Sequence, residues 1–133
     1  MIVGIGLDVV ATERIARSLA RDGATFEQHV FTAAEREAYR ERADRPQALG
    51  ARFAAKEACF KALGIGLGQG VTLQQVEVIA LEGGRPDLRL SGPAADRARV
   101  LGVRRIHVSL THEATVAAAV VVLEGGDVNP VGG

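Results

Sequence analysis

Apolar residues run almost unbroken through positions 1–10 and again through 114–123, and between them the hydrophobic period changes several times. MIVGIGLDVV reads as a strand with Asp8 near its end. In TERIARSLARD (12–22), Ile15 and Leu19 sit at helical spacing, which predicts a helix that stops before Gly23. Thr32 followed by Glu35 is a capping-box pattern and opens a second helix over about 33–42. Asp44-Arg45-Pro46 is a break, and a long helix then runs from 46 to Leu63, closed by Gly64. GIGLGQG (64–70) is a flexible loop. QVEVIAL (75–81) alternates as a strand, turns through Gly-Gly-Arg-Pro, and pairs with DLRLS (87–91). Residues 92–102 are helical, and 105–113 with 115–124 form a hairpin through His112–Ala114. The order β-α-α-α-β-β-α-β-β predicts an α+β domain over 1–124 with a largely antiparallel sheet packed with helices. Residues 125–133 read as a loose tail.

At about 100° per residue, Leu49, Phe53, Phe60 and Leu63 make one stripe of the long helix, the expected core face. Lys56 falls in the middle of it, where an ammonium is costly unless it snorkels or finds a partner. Glu57 and Lys61 share the flank, with glutamate N-terminal, the favourable order for a helical ion pair.

The chain has 133 residues, 47% of them apolar, which suits one globular domain. Sixteen basic residues balance sixteen acidic ones, so no global field draws the protein to nucleic acid or to a membrane. The absence of Trp and the 4% aromatic content argue against base-stacking platforms. The single cysteine, Cys59, excludes an intrachain disulfide and a cysteine zinc site. The N-terminus lacks the basic segment of a secretion signal, and the longest apolar run is about half a bilayer span, so a reducing cytoplasm is the simplest location. One compositional detail changes the picture. Of sixteen Lys+Arg residues only Lys56 and Lys61 are lysine, five positions apart in FAAKEACFK.

Lysine is a compact point charge suited to a phosphate oxygen, so the two residues read either as a solvated pair plus a snorkelling side chain or as a phosphate site. Asp8 likewise reads as a helix cap or as a carboxylate that meets Glu57 across the fold to hold a hard cation. Gly4-x-Gly6 fails the dinucleotide-binding pattern at Val9, and GIGLGQG lacks the Lys-Ser/Thr of a P-loop, although bare backbone at Gly64 and Gly66 can approach a phosphate. His112 lies at a turn and His107 in an alternating strand. Arg14, Arg17 and Arg21 form one helical stripe, either a solvated face or a docking surface.

These residues resemble the phosphopantetheinyl transferases, most closely the short bacterial holo-acyl-carrier-protein synthase type. The likeness covers about residues 1–124 and rests on GIGLD (4–8), FAAKEACFK (53–61) and SLTH (109–112), with Phe26–Glu35 and Gly84-Arg85-Pro86 in support. It implies transfer of 4′-phosphopantetheine from coenzyme A to a serine of apo-acyl carrier protein, releasing adenosine 3′,5′-bisphosphate, for fatty acid biosynthesis. It implies Mg²⁺ held by Asp8 and Glu57, Lys61 at the pyrophosphate, and Lys56, Gly64, Gly66 and His112 as further coenzyme A contacts. It also implies a homotrimer with the site at the subunit boundary, and docking of the acidic carrier on Arg14, Arg17 and Arg21. Glu57 and a metal-bound water are both candidates for the general base. A non-catalytic coenzyme A or nucleotide-binding protein is the competing class.

Overall fold

The computed structural model describes residues 1–126. Its order is β1 (Ile2–Ala11), α1 (Thr12–Asp22), α2 (Ala24–Val30), α3 (Ala33–Tyr39), α4 (Arg45–Leu63), β2 (Val76–Ala80), β3 (Pro86–Leu90), α5 (Gly92–Val100), β4 (Val103–His112) and β5 (Val116–Gly125). This is the α+β architecture that the sequence predicts, with three differences. Helix α2 was not expected: it has no side-chain cap and follows directly on Gly23, whose φ is 50°. Short 3-10 turns precede β2 and occupy Glu82–Gly84. Gly125, expected in the tail, ends β5, and the tail beyond Gly126 lies outside the described residues.

The strands form two antiparallel sheets, β1-β5-β4 and β2-β3, with β3 lying beside β4. Asp8 is opposite Ala119, and Ala119 is opposite Leu110, so the core-facing residues of the large sheet alternate in one register. Ala117, Ala119, Val121 and Leu123 of β5 are buried against α4.

Helix α4 is the spine of the molecule. The sequence predicts one apolar stripe, yet the helix is buried nearly all round, with Gly50, Ala54, Ala58 and Ala62 as enclosed as Leu49 and Phe60. Packing on several sides explains this: the large sheet covers one face, and α1, α3 and β2 cover others. A helix enclosed in this way loses its amphipathic pattern. Small residues at four-residue spacing let α4 lie close on the sheet. A Cβ at Gly6 would stand 1.8 Å from the Ala58 carbonyl oxygen, and one at Gly4 2.2 Å from that of Ala62. Glycine inside a strand is expected where another backbone comes this near.

The capping box at the start of α3 is present. Glu35 N–H donates to Thr32 Oγ1 at 3.2 Å, and Thr32 N–H donates to Glu35 Oε1 at 2.8 Å. The carboxylate also accepts from Val78 N–H at 2.9 Å, which ties α3 to β2.

Candidate active site

Asp8 is on edge strand β1, on the side facing α4, and Glu57 and Lys61 are on the flank of α4 that overhangs that edge. Lys61 Nζ donates to Asp8 Oδ1 at 3.0 Å and to the Leu7 carbonyl at 2.9 Å. The ammonium therefore does not pair with Glu57 four residues back, as helical spacing predicts. Strand β1 supplies two acceptors where the i,i+4 geometry supplies one. Glu57 takes part in no ion pair among the described residues. Burial, and then the facing Asp8 carboxylate, raise its pKa above the ordinary value, while Arg14 and Lys61 oppose the shift. Asp8 and Glu57 are thus near enough to act on one another. No group of three or more His, Cys, Asp or Glu side chains that could hold a metal ion exists among the described residues, so a cation at these two carboxylates would need outside oxygens to complete its shell.

Lys56 does not join this group. It is fully buried, and its Nζ donates to Glu35 Oε1 at 2.7 Å, to the Val76 carbonyl at 2.6 Å and to the Leu73 carbonyl at 3.2 Å. Its three protons are consumed inside the protein, and none is left for a ligand. The expectation that Lys56 contacts coenzyme A is corrected accordingly: five residues are about 500° of helix, so Lys56 and Lys61 point to different sides. Glu35 was legible in the sequence as a cap residue but not as the partner of Lys56.

His112 ends β4, on the opposite edge of the three-stranded sheet from Asp8, and pairs in register with Ala117. Two strand spacings, about 10 Å, separate those edges. Around it lies a second cluster. Its Nε2 is 3.9 Å from Asp44 Oδ2, Asp44 takes two 2.8 Å hydrogen bonds from Arg42, and Arg42 and Arg52 both stack on Tyr39. The Arg42 hydrogen bonds hold the Asp44 carboxyl below its ordinary range. The Nε atoms of Arg45 and Arg52 are buried without partners. Sequence reasoning missed Arg42 and Arg52, and the one available signal was that Arg52 directly precedes the lysine motif.

Gly64 closes α4 in the left-handed conformation, φ 70°, and nothing lies within 4 Å of a Cβ built on Gly66, so backbone there is open to a ligand. Arg14, Arg17 and Arg21 are exposed on α1, while Ile15 is buried and Leu19 partly so. Arg14 also stacks on Phe53 of α4, one turn before Glu57.

The 4′-phosphopantetheinyl transferase superfamily matches residues 4–120. The chain belongs to that family. It is 48% identical to the holo-[acyl-carrier-protein] synthase of Methylobacterium radiotolerans, over 99% of this chain and all of the relative. The crystal structure of the Neisseria meningitidis holo-[acyl-carrier-protein] synthase superposes with a TM-score of 0.83 at 32% identity, covering 93% of this chain and 99% of that one. The Bacillus anthracis synthase, solved in complex with CoA (3′,5′-ADP), gives 0.78 at 33% identity over 95% and 99%. In this transferase GIGLD of β1 and the Lys61 end of α4 come together at one edge of the large sheet.

Proposed function

We infer that this chain is a holo-acyl-carrier-protein synthase, moving the phosphopantetheine group from coenzyme A to a carrier-protein serine for fatty acid biosynthesis. The observation that carries the reading is the meeting of Asp8, Glu57 and Lys61 at the β1–α4 edge. Two carboxylates, of which Glu57 makes no direct ion pair among the described residues, fit Mg²⁺, which takes few protein ligands and fills its shell with phosphate oxygens and water. Asp8 and Glu57 would hold it, and when bound it neutralises charge on the pyrophosphate.

The chain's own groups account for the rest. In the transfer, the serine oxygen bonds to the β-phosphorus of coenzyme A, and the bond from that phosphorus to the bridging oxygen breaks. The electrons leave with 3′,5′-ADP, and the serine proton is taken up by a base. Lys61, half-exposed and able to turn from Asp8, is placed to neutralise the leaving phosphate. Glu57 is suited to take the serine proton, because burial and the neighbouring Asp8 raise its pKa above the ordinary carboxylate value. Phosphoryl transfer of this kind depends on positioning and charge more than on covalent help.

His112, Arg42 and Arg52 offer hydrogen-bond donors at the other edge of the sheet, and we assign them, with the open backbone at Gly64 and Gly66, to coenzyme A. One chain does not bring the two edges together, so a neighbouring copy completes each site. Ile5, Leu7 and Val9 on the sheet face away from α4 are 66%, 61% and 60% exposed, an apolar patch of the kind that a second copy covers. A homotrimer follows the family pattern, and the arginine stripe of α1 is the docking face for the acidic carrier. No helix of the described chain is long and apolar enough to cross a membrane. A cytoplasmic location fits the family's carrier substrates.

The test is Mg²⁺-dependent conversion of apo- to holo-carrier, read as a mass gain equal to phosphopantetheine. No gain with coenzyme A, Mg²⁺ and carrier all present overturns the reading. Light scattering that finds a stable, fully active monomer overturns the shared site alone.

A further inference from the structure

We propose that Gly6, supported by Gly4, is a positioning residue that sets the distance between the Asp8 and Glu57 carboxylates. The proposal rests on the reading of those carboxylates as cation ligands. In β1, Gly4, Gly6, Asp8 and Val10 alternate onto the side facing α4. Helix α4 runs antiparallel along them: Ala62 lies over Gly4, Ala58 over Gly6, and Gly50 near Val10. The nearest obstacles a side chain would meet are the backbone carbonyl oxygens of Ala62 and Ala58, at 2.2 and 1.8 Å, and at Gly6 the three nearest atoms are all backbone, with no side-chain tip that could swing aside. A methyl group at Gly6 therefore drives α4 off β1 by roughly 1 Å or more to recover ordinary van der Waals contact.

Glu57 immediately precedes Ala58, and Asp8 is the next residue on the same face of β1 after Gly6. The close approach and the carboxylate pair are thus one geometric feature. Widening the first widens the second. Two carboxylates serve one small cation only at a fixed separation, because Mg²⁺ tolerates little departure from its bond lengths. A displacement of about 1 Å at such a site costs on the order of a hundredfold in rate. The glycines of the GIGLD segment are accounted for in this way by contact distance rather than by backbone conformation, since neither has a positive φ.

The experiment is Mn²⁺ binding, read from the electron paramagnetic resonance of free Mn²⁺, to protein saturated with coenzyme A and without carrier, so that nothing turns over. Gly6→Ala should weaken Mn²⁺ at least tenfold. Asp8→Glu should weaken it in the parent but strengthen it in the Gly6→Ala background, because the longer arm spans the widened gap. Leu49→Ala, a buried α4 position away from the carboxylates, should lower the melting temperature without changing Mn²⁺ affinity. If Gly6→Ala does not fold, Gly4→Ala gives a milder form of the same test, since its methyl group meets the Ala62 carbonyl oxygen of α4 at 2.2 Å. Unchanged affinity in whichever variant folds, absence of recovery with the longer carboxylate, or equal weakening by Leu49→Ala overturns the spacing role. Unchanged affinity in Asp8→Ala instead overturns the cation reading beneath it.

Discussion

Replacing Lys56 by methionine should cost this protein roughly 3–4 kcal/mol, the range for removing one partner of a buried ion pair. Lys56 has no solvent exposure and the Glu35 side chain has 1%, so the carboxylate left behind cannot turn to water. Two features place the cost below the top of the usual range. Glu35 keeps the backbone donors of Thr32 and Val78, at 2.8 and 2.9 Å. Methionine also fills most of the lysine volume and gains sulfur–aromatic contact with Phe31, whose ring centroid lies 5.6 Å from the ammonium. At about 3 °C per kcal/mol for a chain of this size, the melting temperature should fall by about 10 °C. The assay is urea unfolding of the parent, Lys56→Met, Glu35→Gln and the double variant at one protein concentration. Removing both charges should recover about half of the loss, so the double variant should be more stable than either single one. Coenzyme A calorimetry on the folded single variants should give affinities close to the parent. A Lys56→Met protein that unfolds within about 1 kcal/mol of the parent yet no longer binds coenzyme A would refute the structural role and return Lys56 to the phosphate site.

Three further predictions follow from the same geometry. Glu57→Gln should abolish turnover and, with metal chelated, melt slightly above the parent at pH 7, by a few tenths of a kcal/mol. Its pKa is raised from 4.5, so the parent's contribution from this group is fully present below pH 4.5 and lost as pH rises through the folded pKa; calorimetry showing a pH-independent difference contradicts this. Lys61→Ala should melt within a few degrees of the parent, because its pair with Asp8 is 56% exposed on the lysine side and is worth at most about 1 kcal/mol. Its turnover should fall about a hundredfold, and single-turnover kinetics that match the parent would remove Lys61 from the chemistry. Arg17→Glu with Arg21→Glu should raise the KM for carrier, more at low salt than at high, and leave coenzyme A affinity unchanged. Arg14 is kept in that variant because it also acts on Glu57, and equal losses for both substrates would mean misfolding rather than lost docking.

Much of the fold is legible from local pattern. Helix α1 ends at Gly23, α3 opens on a capping box, and β2–β3 and β4–β5 are hairpins, all fixed by residues within a few positions of one another. Helix α2 escaped because seven residues without a cap carry too little periodicity. Asp8 stood out in the sequence as a charge at the end of an apolar strand, and Glu57 and Lys61 as a flank pair in the segment that holds both lysines. What sequence spacing could not decide is which partner each charge takes. Lys61 bonds Asp8, 53 residues away, rather than Glu57, and Lys56 bonds Glu35, 21 residues away, rather than a ligand. Helical periodicity says which residues share a face, but the neighbour of that face comes from chain packing over long sequence separations. The same holds for the glycines of β1, whose need appears only when α4 lies on them, and for His112, which the β1-β5-β4 order sets on the far edge of the sheet from Asp8. Sequence determined most of the elements that form and the charged residues they carry; only the tertiary packing of α4 between the sheet and the α3–β2 layer decided which lysine reaches Asp8 at the sheet edge and which one holds the core.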